Sequence, residues 1–290
     1  MLSLSMGGCS SLEQGDSATG PMGNLLLAEP EPISARSQMA IARYNHILTQ
    51  APLKEEERAE LLFQRGMLYD SVGLAGLARF DYSQALQLKP DMAEAHNSIG
   101  IHYIQQMDFI QAYESFDSTL DINPDYDFAI LNRGIALYYG GRANLAIDDL
   151  KAFYEKDVTD PYRVLWSFIV EQELDKTSAL TNLAKHRQML SDNNWATSIV
   201  DFYLNRVDES AVIADLVDDV TSQKQLNDRL CEAYFYLGKY HSDLGNRVKA
   251  SNYFKLSLST NVYEYVEHRY SRLELDRLRE QRKVNDSAQQ

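Results

Sequence analysis

The residues best equipped for chemistry in this 290-residue chain are two cysteines, Cys9 and Cys231, and six histidines. Catalysis and metal binding need such groups at set spacings. His96 and His102 fall six residues apart on one predicted helix, so they do not share a face as metal ligands would. The chain contains no H-E-x-x-H, no G-x-S-x-G elbow and no phosphate-cradling glycine loop. The expectation is a chain with no catalytic residue, no metal site and no cofactor. Two cysteines make neither a disulfide framework nor a metal pair, and Cys231 is expected to be a buried structural thiol. Cys9 is different. Met6, Gly7 and Gly8 precede it, and signal peptidase II needs small residues there to reach the bond it cuts. The stretch resembles a bacterial lipobox, in which the cysteine thiol carries a diacylglycerol. Only eight residues come before Cys9, none of them Lys or Arg. Either the true start lies upstream of Met1, or the cysteine is incidental.

The elements that must position any binding residue follow from a fixed period. Gly66, Gly100 and Gly134 are 34 residues apart. Around them Leu62, Tyr69, Ala78, Tyr82, Ala85 and Pro90 mark one unit, and Tyr103, Ala112, Phe116 and Pro124 take matching places in the next. Leu137, Ala146 and Leu150 do so in the third, where Val158 stands in place of proline. This pattern resembles the tetratricopeptide repeat, a helix–turn–helix unit. Small residues let paired helices approach, aromatic residues fill the space between units, and proline stops one unit before the next. Tyr234, Leu237, Gly238, Ala250 and Phe254 mark a fourth unit downstream.

The fold class expected is all-α, a tetratricopeptide-repeat solenoid over 37–282 with units at 59–92, 93–126, 127–160 and 231–264. Less regular helical pairs fill 161–222, read from apolar spacing at 162–174, 178–190, 195–205 and 209–220. A leading helix at 37–50 either caps the first repeat or pairs with a second subunit. A closing helix at 262–283 carries a charged outer face, as a terminal cap needs. Residues 1–8 read as a partial signal peptide, 9–36 as a lipidated cysteine and flexible tether, and 283–290 as a disordered tail.

In repeats of this type the second, fifth, ninth and twelfth places of the first helix face a concave groove. Here these are Glu60, Phe63, Met67 and Asp70, then Glu94, Asn97, Ile101 and Ile104, then Phe128, Leu131, Ile135 and Tyr138. The lysines that clamp a C-terminal carboxylate in the co-chaperone branch are missing, and the mixed, partly apolar groove suits an extended or helical peptide. The competing reading is that Phe63, Leu131 and Ile135 pack between repeats. The net charge of −14, spread along the chain, argues against nucleic acid, which needs Lys and Arg gathered on one face.

Four stretches carry a closer likeness: FQRGMLYDSVGLAGLARFDYSQAL, LNRGIALYYGGRANLAIDDLKAFY, FYLGKYHSDLG and VEHRYSRLEL. Together they resemble the NlpI family of outer-membrane lipoproteins, over roughly residues 37–280. The resemblance implies a homodimeric adaptor, lipid-anchored at Cys9 in the outer membrane and facing the periplasm. It would bind a periplasmic tail-specific protease and peptidoglycan hydrolases, notably murein endopeptidases, and so tune cell-wall growth and division. Ser10 after the cysteine, rather than Asp, resembles lipoproteins sent to the outer membrane. Two other readings stay open: an assembly factor for outer-membrane or secretion machinery, and a cytoplasmic adaptor if Cys9 carries no lipid.

Overall fold

The computed structural model describes residues 26–288. Among them are fourteen α-helices and a short 3-10 turn at Arg187–Met189. The leading helix α1 (Ala35–Gln50) is followed by three pairs: α2 (Glu55–Ser71) with α3 (Ala75–Leu88), α4 (Ala93–Gln105) with α5 (Phe109–Ile122), and α6 (Asp127–Tyr139) with α7 (Ala143–Lys156). Two shorter pairs come next: α8 (Pro161–Leu174) with α9 (Lys176–His186), and α10 (Thr197–Tyr203) with α11 (Glu209–Val217). A long pair, α12 (Gln223–Asp243) and α13 (Arg247–Ser259), precedes the closing helix α14 (Val266–Ala288).

Local chemistry accounts for the helix ends. Glu57 accepts from the Lys54 backbone N–H at 2.9 Å, and Glu55 and Glu56 add negative charge to the first turn of α2. Asp160, Asp175, Asp208 and Ser222 each cap the helix that follows with a side-chain oxygen, and Pro161 occupies the first turn of α8. Within a repeat, the turn between helices needs one residue in the left-handed region. Gly73, Gly141 and Gly245 supply it, with φ of 80°, 74° and 75°. The second repeat uses Met107 at the same place, with φ of 59°.

The core divides in two. One cluster gathers the first repeat around Phe63, Tyr69 and Tyr82. The larger runs from α4 and α5 through to α14 and takes in Trp166, Phe235 and Tyr270.

Three expectations need correction. The closing helix is not an outward cap. It lies against the inner face formed by the first helices, burying Tyr270, Leu273, Glu274, Leu275 and Leu278 and exposing Arg272, Arg279 and Glu280. Its apolar side chains meet those of α6, α8 and α12, so the inner face is where they leave water. The helix also runs to Ala288, through the stretch expected to be a disordered tail at 283–290. The flexible tether expected over 9–36 does not extend that far. Residues 26–30 have no regular secondary structure and are tied to α12, where the Asn227 side-chain amide donates to the Glu29 carbonyl at 2.9 Å and the Tyr234 hydroxyl donates to that of Leu26. Residues 1–25, including Cys9, lie outside the described residues.

Candidate protein-interaction surface

The twelve groove positions fall on α2, α4 and α6, and most are not open to a partner. Glu60, Glu94 and Phe128 are exposed, Met67 is 38% exposed and Ile101 half-buried. Phe63, Asp70, Asn97, Ile104, Leu131, Ile135 and Tyr138 are buried, so these seven belong to the interior rather than to a free groove. The physical reason is the seat of α14, together with packing between repeats.

Two polar clusters fix that seat. Asp70 accepts from the Tyr82 hydroxyl at 3.0 Å and from His102 Nε2 at 3.1 Å, and Arg269 of α14 reaches it at 3.4 Å. Burial alone would raise the Asp70 pKa, but the His102 hydrogen bond and the Arg269 charge outweigh it and hold the carboxyl below its ordinary value. In the second cluster, Lys239 Nζ donates to Glu274 Oε1 at 2.7 Å and to the Tyr138 hydroxyl at 2.7 Å. The Tyr139 hydroxyl donates to the same Glu274 oxygen at 2.9 Å, and the Arg277 guanidinium lies 5.1 Å from the Tyr139 ring centre. Burial opposes charge on both partners. Their mutual attraction wins, so Lys239 is raised and Glu274 lowered.

Asn97 holds a groove place and would be a peptide-binding amide in an open repeat groove. Here Asn132 Nδ2 donates to Asn97 Oδ1 at 3.1 Å. Asn132 Oδ1 and, on α14, Tyr270 Oη and Ser271 Oγ are buried without a protein partner.

What remains for a partner lies outside. Leu77 on α3, Ile110 on α5 and Leu145 on α7 are 50%, 65% and 48% exposed. They stand within a residue of the 34-residue period, so the stacking of repeats aligns them in a row at the starts of the second helices. Phe80 extends the apolar surface of α3 and is 60% exposed. Sequence reasoning missed this row because it followed only the first helix of each unit, though the recurring apolar residue was there to be read.

A second feature is a polar cleft of 680 Å³ around α10, α11 and the start of α12. Its lining includes Arg187, Trp195, Asp201, Asp215, Asp218, Asp219 and Arg229. Both arginines are committed. Arg187 pairs with Asp201 and Asp192, while Arg229 donates to the carbonyls of Leu216 and Asp218 and lies 5.5 Å from the Trp195 ring centre.

Three further histidines have structural partners. His241 and Lys249 each hold Glu209 at 2.5 Å, and Tyr253 donates to it at 2.7 Å. Burial would raise Glu209, but these hydrogen bonds outweigh it and bring the carboxyl to about 2. His268 meets the Leu258 carbonyl at 3.2 Å, and burial pushes its pKa down to about 4. His186 stacks on Tyr154 with ring centres 4.2 Å apart. Cys231 is buried beside Ser257, and burial pushes its thiol up, away from reactivity. Among the described residues no three His, Cys, Asp or Glu converge on a possible metal position.

No protein-family model matches the chain. Several solved structures are similar in outline. A tetratricopeptide-repeat protein from Parabacteroides merdae is 19% identical with a TM-score of 0.48, covering 83% of this chain and 77% of its own. YrrB, described as a TPR protein with an unusual peptide-binding site, is 15% identical with a TM-score of 0.44, covering 81% of this chain and 97% of its own. Pseudomonas aeruginosa PilF is 17% identical with a TM-score of 0.43, covering 76% and 99%. The 34-residue helix pairs described above define the class: the chain is an all-α tetratricopeptide-repeat solenoid. Solenoids of this class are surfaces for binding other proteins.

Proposed function

We propose that the chain is a non-enzymatic adaptor, anchored through a lipid on Cys9 to the outer membrane and facing the periplasm. As a homodimer it would bring a tail-specific protease together with murein endopeptidases and other peptidoglycan hydrolases. The observation that carries the binding role is the apolar row Leu77, Ile110 and Leu145, exposed on three successive repeats of a body whose inner face is filled. Scattered exposed apolar residues are ordinary, but an apolar residue exposed near the start of the second helix in three successive repeats gives a protein partner a recurring contact. An adaptor needs no chemistry of its own. Holding two partners on one body raises their local concentration. The particular partners, and the anchor, rest on the likeness of the sequence to the NlpI family.

The test is a degradation time course. A murein endopeptidase is mixed with a periplasmic tail-specific protease, with and without this chain. Faster loss of the endopeptidase in its presence supports the adaptor reading, and an unchanged rate with the chain folded and helical overturns it.

A further inference from the structure

The seat of residues 26–30 on α12 has the chemistry of a peptide site. Asn227 is only 3% exposed, and its two amide atoms are both used: Oδ1 accepts from Gln223 Nε2 at 3.0 Å, which aims Nδ2 at the Glu29 carbonyl. Tyr234 is wholly buried and stacks on Tyr253, with ring centres 5.8 Å apart. Its hydroxyl therefore has one fixed direction, towards the Leu26 carbonyl. Both hydrogen bonds read main-chain carbonyls. They recognise an extended chain whatever its side chains are, while selectivity comes from what points inward. Leu26 and Ala28 turn towards the large core, and Leu27 between them is 73% exposed, the period-two alternation of a strand. The seat thus takes an apolar side chain and, two residues on, a small one.

The bound segment is also placed to leave. It joins α1 through only residues 31–34, and no helix follows it until Ala35. Among the described residues its hold amounts to two hydrogen bonds and two partly buried side chains, helped by being part of the same chain.

We infer that the face of α12 around Asn227 and Tyr234 is a binding site for an extended partner segment with a Leu-sized side chain followed two residues later by a small one, and that residues 26–30 occupy it in the free chain. This deepens the adaptor reading and rests on it for the partner being a protein. The test uses peptide binding alone, so its failure leaves the degradation assay untouched.

The probe is a fluorescein-labelled peptide copying residues 26–32, Leu-Leu-Ala-Glu-Pro-Glu-Pro. It is titrated against the full chain and against the full chain with Leu26→Asp and Ala28→Asp, which eject the resident segment. The site predicts at least ten-fold tighter binding to the variant, and loss of that gain on adding Asn227→Ala or on placing Asp at the first position of the peptide. Equal or no binding to a variant that still melts cooperatively overturns the inference. Should the double variant fail to fold, the methyl NMR signals of Leu26 and Ala28 in the unaltered chain decide. Excess peptide must shift them to the positions they take in a free peptide, and unchanged signals overturn the inference.

Discussion

Gly100 of α4 touches the ring of Phe116 on α5 so closely that a Cβ at Gly100 would stand 2.6 Å from Phe116 Cε1. The same contact, sixteen residues apart, joins Gly66 to Tyr82 and Gly238 to Phe254, while in the third repeat Leu150 replaces the ring opposite Gly134. It is the joint that sets how near the two helices of a unit lie. Gly100→Leu should therefore destabilise the fold by on the order of 3 kcal/mol, because a packed interior has nowhere to put the side chain. Thermal and urea melts check this, and a variant melting like the parent sinks the assignment of that joint.

Lys239 and Glu274 are both buried, at 2% and 4% exposure, and each is the other's charge partner. Lys239→Met leaves the Glu274 carboxylate without its counter-charge and should cost about 3–5 kcal/mol. Adding Glu274→Leu should recover most of that, since an apolar pair of similar volume needs no desolvation. A double-mutant cycle in urea measures both. Single and double variants of equal stability would contradict the coupling.

Glu267 is buried, accepting from the Tyr236 hydroxyl at 3.1 Å, and burial raises its pKa from 4.5 to about 7. Glu232, also raised by burial, adds to the acidic surroundings. The folded state then holds the proton more tightly than the unfolded one. Its contribution to stability is complete below about pH 4.5 and is lost as the pH rises through about 7. Glu267→Gln should flatten this slope and raise Tm most above pH 7. Parallel melting curves for the two proteins between pH 5 and 8 would refute it.

Leu77→Asp and Ile110→Asp change exposed side chains and should move stability by less than about 0.5 kcal/mol. In the adaptor reading they abolish the acceleration of endopeptidase loss. Ile135→Ala, at a fully buried position, should instead lower Tm by removing packed volume, at a cost of about 2–5 kcal/mol. Full acceleration by the two surface variants would put the partner on another face.

If the proposed anchor holds the chain to the membrane, Cys9→Ala moves it from the membrane fraction to the soluble fraction without altering its melting curve. Sedimentation with membranes despite the change counts against the anchor.

The period of the helix pairs was legible because Gly66, Gly100, Gly134 and Gly238 each face their packing partner at a constant offset, a local constraint that sequence spacing records. The irregular pairs could be read from apolar spacing alone, and α8 to α11 lie on the stretches so marked. The destination of α14 was hidden. The charged outer face exists in Arg272, Arg279 and Glu280, but the sequence does not show that Arg269, Glu274 and Arg277 of the same helix face inward, where Asp70, Lys239 and Tyr139 supply partners far away in sequence. Seven of the twelve groove positions are buried for the same reason: Ile104 and Ile135 occupy the expected places, but what covers them comes from elsewhere in the chain. Residues 26–30 lacked any local signal, since their partners are the side chains of Asn227 and Tyr234, about two hundred residues on.

The turn after α2 meets the far end of the molecule, with the Tyr263 ring against Gly73 and Arg269 beside Asp70. An open stack of repeats tolerates gain or loss of a unit, since each unit touches only its neighbours. Here a duplication or deletion of 34 residues would carry Asp70 away from Arg269 and leave α14 the wrong length for its seat. The count of units is therefore locked, and descent of this chain is expected to proceed by substitution and loop change rather than by repeat expansion.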